Sequence, residues 1–176
     1  MRYLLVCTLL LVCLSAPFAG QSKQSNEWHR YRNTDGNFSV LMPVEPRDTV
    51  NPGEQTSHTI QAIDGGISYA VIYVTMSTEQ PVNEPTFKVY RDSFLKGLPN
   101  CELKTEAAAA PAIQGYIGHW YRLNCTVEQT KLTFVGNLYW GRHYAYGVLA
   151  MFQTAPSDPT TARKFTDSFS VINTSK

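Results

Sequence analysis

Charge is scarce in this chain and never bunched. Its 176 residues carry 15 lysines and arginines against 14 aspartates and glutamates, with no block of five like charges. That pattern excludes the broad electrostatic attraction on which nucleic-acid binding and anionic-membrane binding depend. Metal-ligand spacings are missing too: there is no Cys-x-x-Cys, no His-x-x-x-His and no acidic calcium loop. The four histidines, His29, His58, His119 and His143, are scattered. Asp64-Gly65-Gly66 has neither the spacing of a phosphate loop nor a following Lys-Ser/Thr. Gly66-Ile67-Ser68-Tyr69-Ala70 ends in Ala where a nucleophile elbow needs Gly, and it runs on into strand-like sequence. No cofactor and no metal are expected.

No apolar run reaches the length of a spanning helix, and the most telling one stands at the start. Met1-Arg2 is followed by an apolar run from Leu4 to Leu14, then by small residues at Ser15, Ala16, Ala19 and Gly20. This is the layout of a secretory signal peptide over residues 1–20. The run falls short of the roughly 20 residues of a spanning helix. Cleavage after Ala19 and cleavage after Ser22 both remain open. Val6 precedes Cys7 and Val12 precedes Cys13, so neither cysteine follows the small residue of a lipoprotein site. A secreted or periplasmic protein is expected, with no membrane anchor beyond the leader. Losing Arg2 from the 15 basic residues leaves 14 against 14 acidic ones, a neutral mature chain.

Cleavage also removes Cys7 and Cys13 and leaves Cys101 and Cys125. An even pair in an oxidising compartment predicts a disulfide; two free, buried cysteines are the alternative. Three N-glycosylation triplets begin at Asn37, Asn124 and Asn173, and they matter only in a host that glycosylates them.

Beyond a polar tether (21–27), roughly 155 residues suit one domain that buries about two-thirds of its unfolded surface. No second linker occurs between residues 28 and 172, and 173–176 form a tail. Strand patterns cover Phe38–Met42, Thr56–Ile63, Ile67–Met76, Tyr116–Val127, Lys131–Trp140 and His143–Phe152. Asp64-Gly65-Gly66 predicts a hairpin turn between the second and third of these. Ile67–Met76 is apolar on both faces, the mark of a central strand covered on both sides. The last three long runs read as an antiparallel meander.

Helical period appears twice. After Pro85, Phe87, Tyr90, Phe94, Leu95 and Leu98 share a face that Gly97 closes. After Ser157-Asp158-Pro159, Ala162, Phe165 and Phe169 line another, and a short strand fits at Ser168–Ile172. Ala107–Ala110 before Pro111 suits a strand end or loop better than a helix. The sum is an α+β fold, a central antiparallel sheet of about six strands flanked by two helices.

The chain opens Trp28-His29-Arg30-Tyr31, continues Phe38-Ser39-Val40-Leu41-Met42-Pro43-Val44-Glu45-Pro46, and closes Phe165-Thr166-Asp167-Ser168-Phe169. In this it resembles the Mog1/PsbP-like domains, small secreted bacterial members above all, across nearly all of residues 28–172. The resemblance implies a central antiparallel sheet flanked by helices and a role in binding or assembly. It places no site residue.

Two groups of residues invite a functional reading. Alternation puts His119 on an apolar face with Ile117 and Tyr121, where a histidine is an acid–base candidate or a hydrogen-bonded core residue. Trp120 and Tyr139 instead share faces with Arg122 and with Lys131, Thr133 and Asn137. With Tyr116 and Arg122 they form a candidate ligand or partner patch, unless a helix covers that face. The expectation is an exported, non-enzymatic binding or assembly domain whose partner is an envelope protein or small ligand. The alternative is a small extracytoplasmic, hydrolase-like enzyme working near His119 or His143.

Overall fold

The computed structural model describes residues 27–53, 55–98, 100–107, 110–127, 129–153 and 160–172. The leader, most of the tether, the capping triplet Ser157–Pro159, Ala108–Ala109 and the tail lie outside these. The fold is α+β, in two sheets and two helices.

The main sheet has seven antiparallel strands in the order β3-β4-β5-β9-β8-β7-β6. They are β3 (Arg47–Asn51), β4 (Ser57–Asp64), β5 (Ile67–Thr75), β6 (Cys101–Ala107), β7 (Ile117–Val127), β8 (Thr130–Trp140) and β9 (Tyr144–Phe152). A smaller sheet pairs β2 (Phe38–Met42) with β1 (His29–Asn33) on one side and β10 (Ser170–Val171) on the other. The helices are α1 (Glu84–Lys96) and α2 (Thr160–Thr166).

Local chemistry explains the joints. β4 and β5 meet across Gly65 and Gly66, both at positive φ (56° and 78°), as a two-residue type I′ loop requires. Asn83 caps α1 by accepting from the Thr86 amide at 3.0 Å, with Pro85 in the first turn. The β1–β2 turn is held by Asn33, whose Oδ1 accepts from the Gly36 amide at 2.6 Å.

β5 and β9 are buried along nearly their whole length on both faces. One face carries Tyr69, Tyr73, Tyr139, Tyr146, Val71 and Val148 under Phe38, Val40, Met42, Phe165 and Phe169 from the small sheet and the α2 segment. We call it the tyrosine face. The opposite face carries Ile72, Tyr121, Leu123, Phe134, Leu138 and Leu149 under Phe87, Phe94 and Leu98 of the α1 segment.

The expected six-strand sheet needs correcting at three places. Phe38–Met42 belongs to the second sheet, and β3 and β6 take the edges of the main one. The terminal strand joins β2. The edge strands escape pattern reading because they have little to bury: β3 (RDTVN) is exposed nearly throughout, and β6 (CELKTEA) is exposed over its middle. β1 (HRYRN) hides for the same reason.

β8 and β9 approach so closely at Gly136 that an added Cβ would lie 2.0 Å from the Val148 carbonyl oxygen. Gly136→Ala is therefore expected to cost at least about 4 kcal/mol or to prevent folding, read in a thermal melt. Cys101 and Cys125 sit opposite each other on β6 and β7, bonded, with Cα atoms 4.0 Å apart and 24 residues of separation. Replacing both with serine should cost about 3 kcal/mol by the loop-entropy argument. A melting temperature equal to wild type would show that the bridge contributes nothing.

Candidate functional site

The strongest cluster of chemical groups lies where α1 crosses β6 and β7. Leu103 pairs with Leu123, Thr105 with Arg122 and Glu106 with Tyr121, so Lys104 and Thr105 together oppose Arg122. This bulge shifts the alternation by one and turns Glu106 onto the α1 face, beside Tyr121 and His119. Without it Glu106 would point the other way.

Glu106 collects three donors. Arg91 of α1 gives Nη1 to both carboxylate oxygens at 2.9 and 3.2 Å. The Tyr121 hydroxyl donates at 2.8 Å. His119 Nδ1 lies 3.1 Å away, and since an ionised carboxylate only accepts, Nδ1 carries the shared proton. Burial alone would raise the Glu106 pKa, but the bonds from Arg91, Tyr121 and His119 outweigh it and hold the carboxyl below its ordinary value. Burial first, then the Glu106 carboxylate, pushes the Tyr121 hydroxyl well above its usual range. Arg91 also donates to Asp92 through Nε and Nη2, at 2.9 and 2.8 Å.

The His119 ring lies 4.6 Å from Phe87 and stacks on Tyr121 at 6.4 Å. Its Nε2 faces Glu84 Oε1 at 3.7 Å. The contacts of this imidazole are thus two carboxylates and two rings. It is oriented as a base would be, but a carboxylate stands at each nitrogen. The other histidines remain apart. His143 is half-exposed, with Nε2 3.5 Å from Glu79, and Arg142 shares that carboxylate at 3.6 Å. His58 stacks on Tyr73 at 4.6 Å, and His29 lies 3.6 Å from Glu45.

The four patch candidates part company. Tyr139 is 1% exposed: its ring crosses Gly118, where a Cβ would come within 2.5 Å, stacks on Phe169 at 5.5 Å and donates to the Pro111 carbonyl at 3.3 Å. Tyr116 lies over Gly141 in the same way and packs on Tyr146 at 5.7 Å. Trp120 and Arg122 stay together on β7, Trp120 partly exposed and Arg122 exposed. Asn124 and Thr126 continue the exposed line, and Lys131 pairs with Thr126 from β8. This outer part of the tyrosine face lies beyond α2 and the small sheet.

Sequence reading missed Glu106 and Arg91. Glu106 looks like one more charge on a polar edge until the bulge is known, and Arg91 sits beside the apolar stripe of α1. Gly118 opposite Tyr139 is the signal that would have found the buried ring. Of the glycosylation triplets, Asn124 is exposed, Asn37 sits in the β1–β2 turn at φ 56°, and Asn173 lies outside the described residues. Among the described residues no group of three or more His, Cys, Asp or Glu side chains is placed to hold a metal ion, and no helix is long and apolar enough to cross a membrane. No protein-family model and no curated protein sequence matches the chain.

Because the folded state holds Glu106 ionised below the ordinary glutamate value, its contribution is complete above about pH 4.3 and is lost as pH falls through the folded-state value. Glu106→Gln should cost about 1–3 kcal/mol at neutral pH. The gap from wild type should hold above about pH 4.3 and narrow steadily as pH is lowered below it. A gap in melting temperature that ignores pH would show that the carboxylate charge is not what the network uses.

Proposed function

We propose that this chain is an exported domain of the Mog1/PsbP-like kind that works by binding, with its working surface on β7. The export half of the reading draws on the leader-like first twenty residues and on the bonded Cys101–Cys125 pair, which suits an oxidising compartment.

One observation carries the binding half. Trp28 packs edge-on to Tyr69 at 5.2 Å, with Lys164 4.7 Å over its ring. Trp140 lies against Tyr90 at 5.2 Å and donates to the Pro81 carbonyl at 3.0 Å. Trp120, on the open part of a sheet face beside Arg122, makes no ring pair and no side-chain hydrogen bond among the described residues. A partly exposed indole that has no ring or hydrogen-bond partner among the described residues, set beside an exposed arginine, suits contact with something outside the chain.

A second reading is favoured by the meeting of His119, Glu106 and the Tyr121 hydroxyl, the groups of a small acid–base enzyme. The carboxylates at both imidazole nitrogens count against it and suit a strap that ties α1 to the sheet edge. His119→Asn separates the two: a strap loses melting temperature, whereas a base loses turnover with the fold intact.

The binding reading is tested with a photoreactive benzophenone side chain placed at Asn124 in one variant of the full chain and at Val89 in another, which leaves Trp120 and Arg122 in place. Val89 is exposed on α1, which covers the opposite face. Irradiation in the producing cell's envelope fraction should give an adduct from position 124 and none from position 89. No adduct at 124, or equal labelling at both, overturns the assignment of this face.

A further inference from the structure

Resting on that reading of the β7 face, we infer that its ligand is an acidic polysaccharide strand, laid along β7 with one sugar ring on Trp120 and sugar carboxylates on Arg122 and Lys131. Trp120 offers a flat apolar platform with a donor at its edge, the counterpart of a pyranose ring whose C–H groups line one face and whose hydroxyls line the rim.

The next outward-facing residue along the strand is Arg122, roughly 7 Å on at about 3.3 Å per residue. Lys131 stands opposite Thr126, so it lies roughly 13 Å beyond Arg122 on the same face. Neither cation is within 4.0 Å of a carboxylate among the described residues. Glu102, the acidic residue on this face of β6, is held by Lys104. The strip therefore presents two unspent positive charges.

Arg122 has the planar donor fork that matches a carboxylate. Between the cations stand Asn124 and Thr126, an exposed amide and hydroxyl suited to neutral sugar hydroxyls. The sequence of groups is platform, cation, two neutral polar groups, cation. That order suits a ligand that carries hydroxyls beside each carboxylate, as a strand of uronic acids does.

An acidic peptide is the competitor. An extended peptide binds a sheet by adding to its edge through backbone bonds. The nearby edge is β6, and the bulge at Lys104–Thr105 breaks the regular ladder that such a peptide would extend. A polysaccharide lies on the face and needs no ladder.

The test is calorimetric titration of the full chain with oligogalacturonate, with a neutral cello-oligosaccharide of equal length and with poly-L-glutamate. Oligogalacturonate should bind, more weakly as salt rises. Arg122→Gln should weaken it about tenfold or more at unchanged melting temperature, and Trp120→Ala should remove it while the chain still melts cooperatively. If Trp120→Ala fails to fold, Trp120→Phe keeps a platform and should retain weakened binding.

Absence of oligogalacturonate binding, or binding unaffected by both substitutions, overturns the inference. So does poly-L-glutamate binding that ignores Trp120, which would mark a general anion surface. Cello-oligosaccharide binding that ignores Arg122 would mark a neutral-sugar site and overturn it equally. Photo-adducts at position 124 without oligogalacturonate binding overturn the ligand chemistry alone, while the loss of both overturns the binding reading as well.

Discussion

Strands β5 and β9 carry apolar side chains on both faces, and neither face can be left to water. The two helices and the small sheet are placed by that requirement. One face is covered by the thirteen-residue α1, the other by a small sheet and the seven-residue α2 acting together. The seam on the second face runs through Tyr146, fully buried between Phe38, Phe169, Tyr116 and Tyr144. Its hydroxyl donates to the Gly36 carbonyl at 2.8 Å, fastening the β1–β2 turn to the sheet. Burial, with neighbouring tyrosines adding to it, holds that hydroxyl protonated far beyond the ordinary tyrosine range. The donor is therefore present at any pH the fold survives.

The two edges of the main sheet are finished in different ways. β3 is five residues long and stands between Pro46 and Pro52, which limits how far any strand could pair with it. β6 is fastened covalently by Cys101 at one end and electrostatically by Glu106 near the other, with the bulge between. The bulge does two jobs: it blunts the edge, and it delivers Glu106 to Arg91, which ties the strand to α1. The His119–Glu106–Tyr121 group then follows from the engineering of an edge, and needs no substrate to explain it.

What could be read from the sequence divides along the same line. β2, β4, β5, β7, β8 and β9 were legible to within a residue or two because burial forces alternation or a double-faced apolar run. The α1 stripe of Phe87, Phe94 and Leu98 and the Gly65-Gly66 turn were legible for equally local reasons. β1, β3 and β6 were not, since a strand that buries little leaves no period. The network at Glu106 was hidden because a one-residue bulge reverses the facing of everything beyond it. The patch was half legible: alternation put Trp120 and Tyr139 on one face correctly, but it carries no information about which strands of that face are covered.

The width of the cover decides that last point. A helix with its side chains is about 10–12 Å across, and strands lie about 4.8 Å apart, so one helix shields about two strands. α2 packs on β8 and β9, where the buried Asn137 of β8 donates to the Thr166 carbonyl at 3.3 Å and fixes its end. Tyr139, on β8, falls under the α2 segment, and Phe169 stacks on it. Trp120 and Arg122, one strand further out on β7, fall past its rim. Ala110, Ile113 and Tyr116 from the segment before β7 cover part of the face beyond that rim, and among the described residues the strip past them carries a tryptophan and two cations with no carboxylate partner, where a core would need neither.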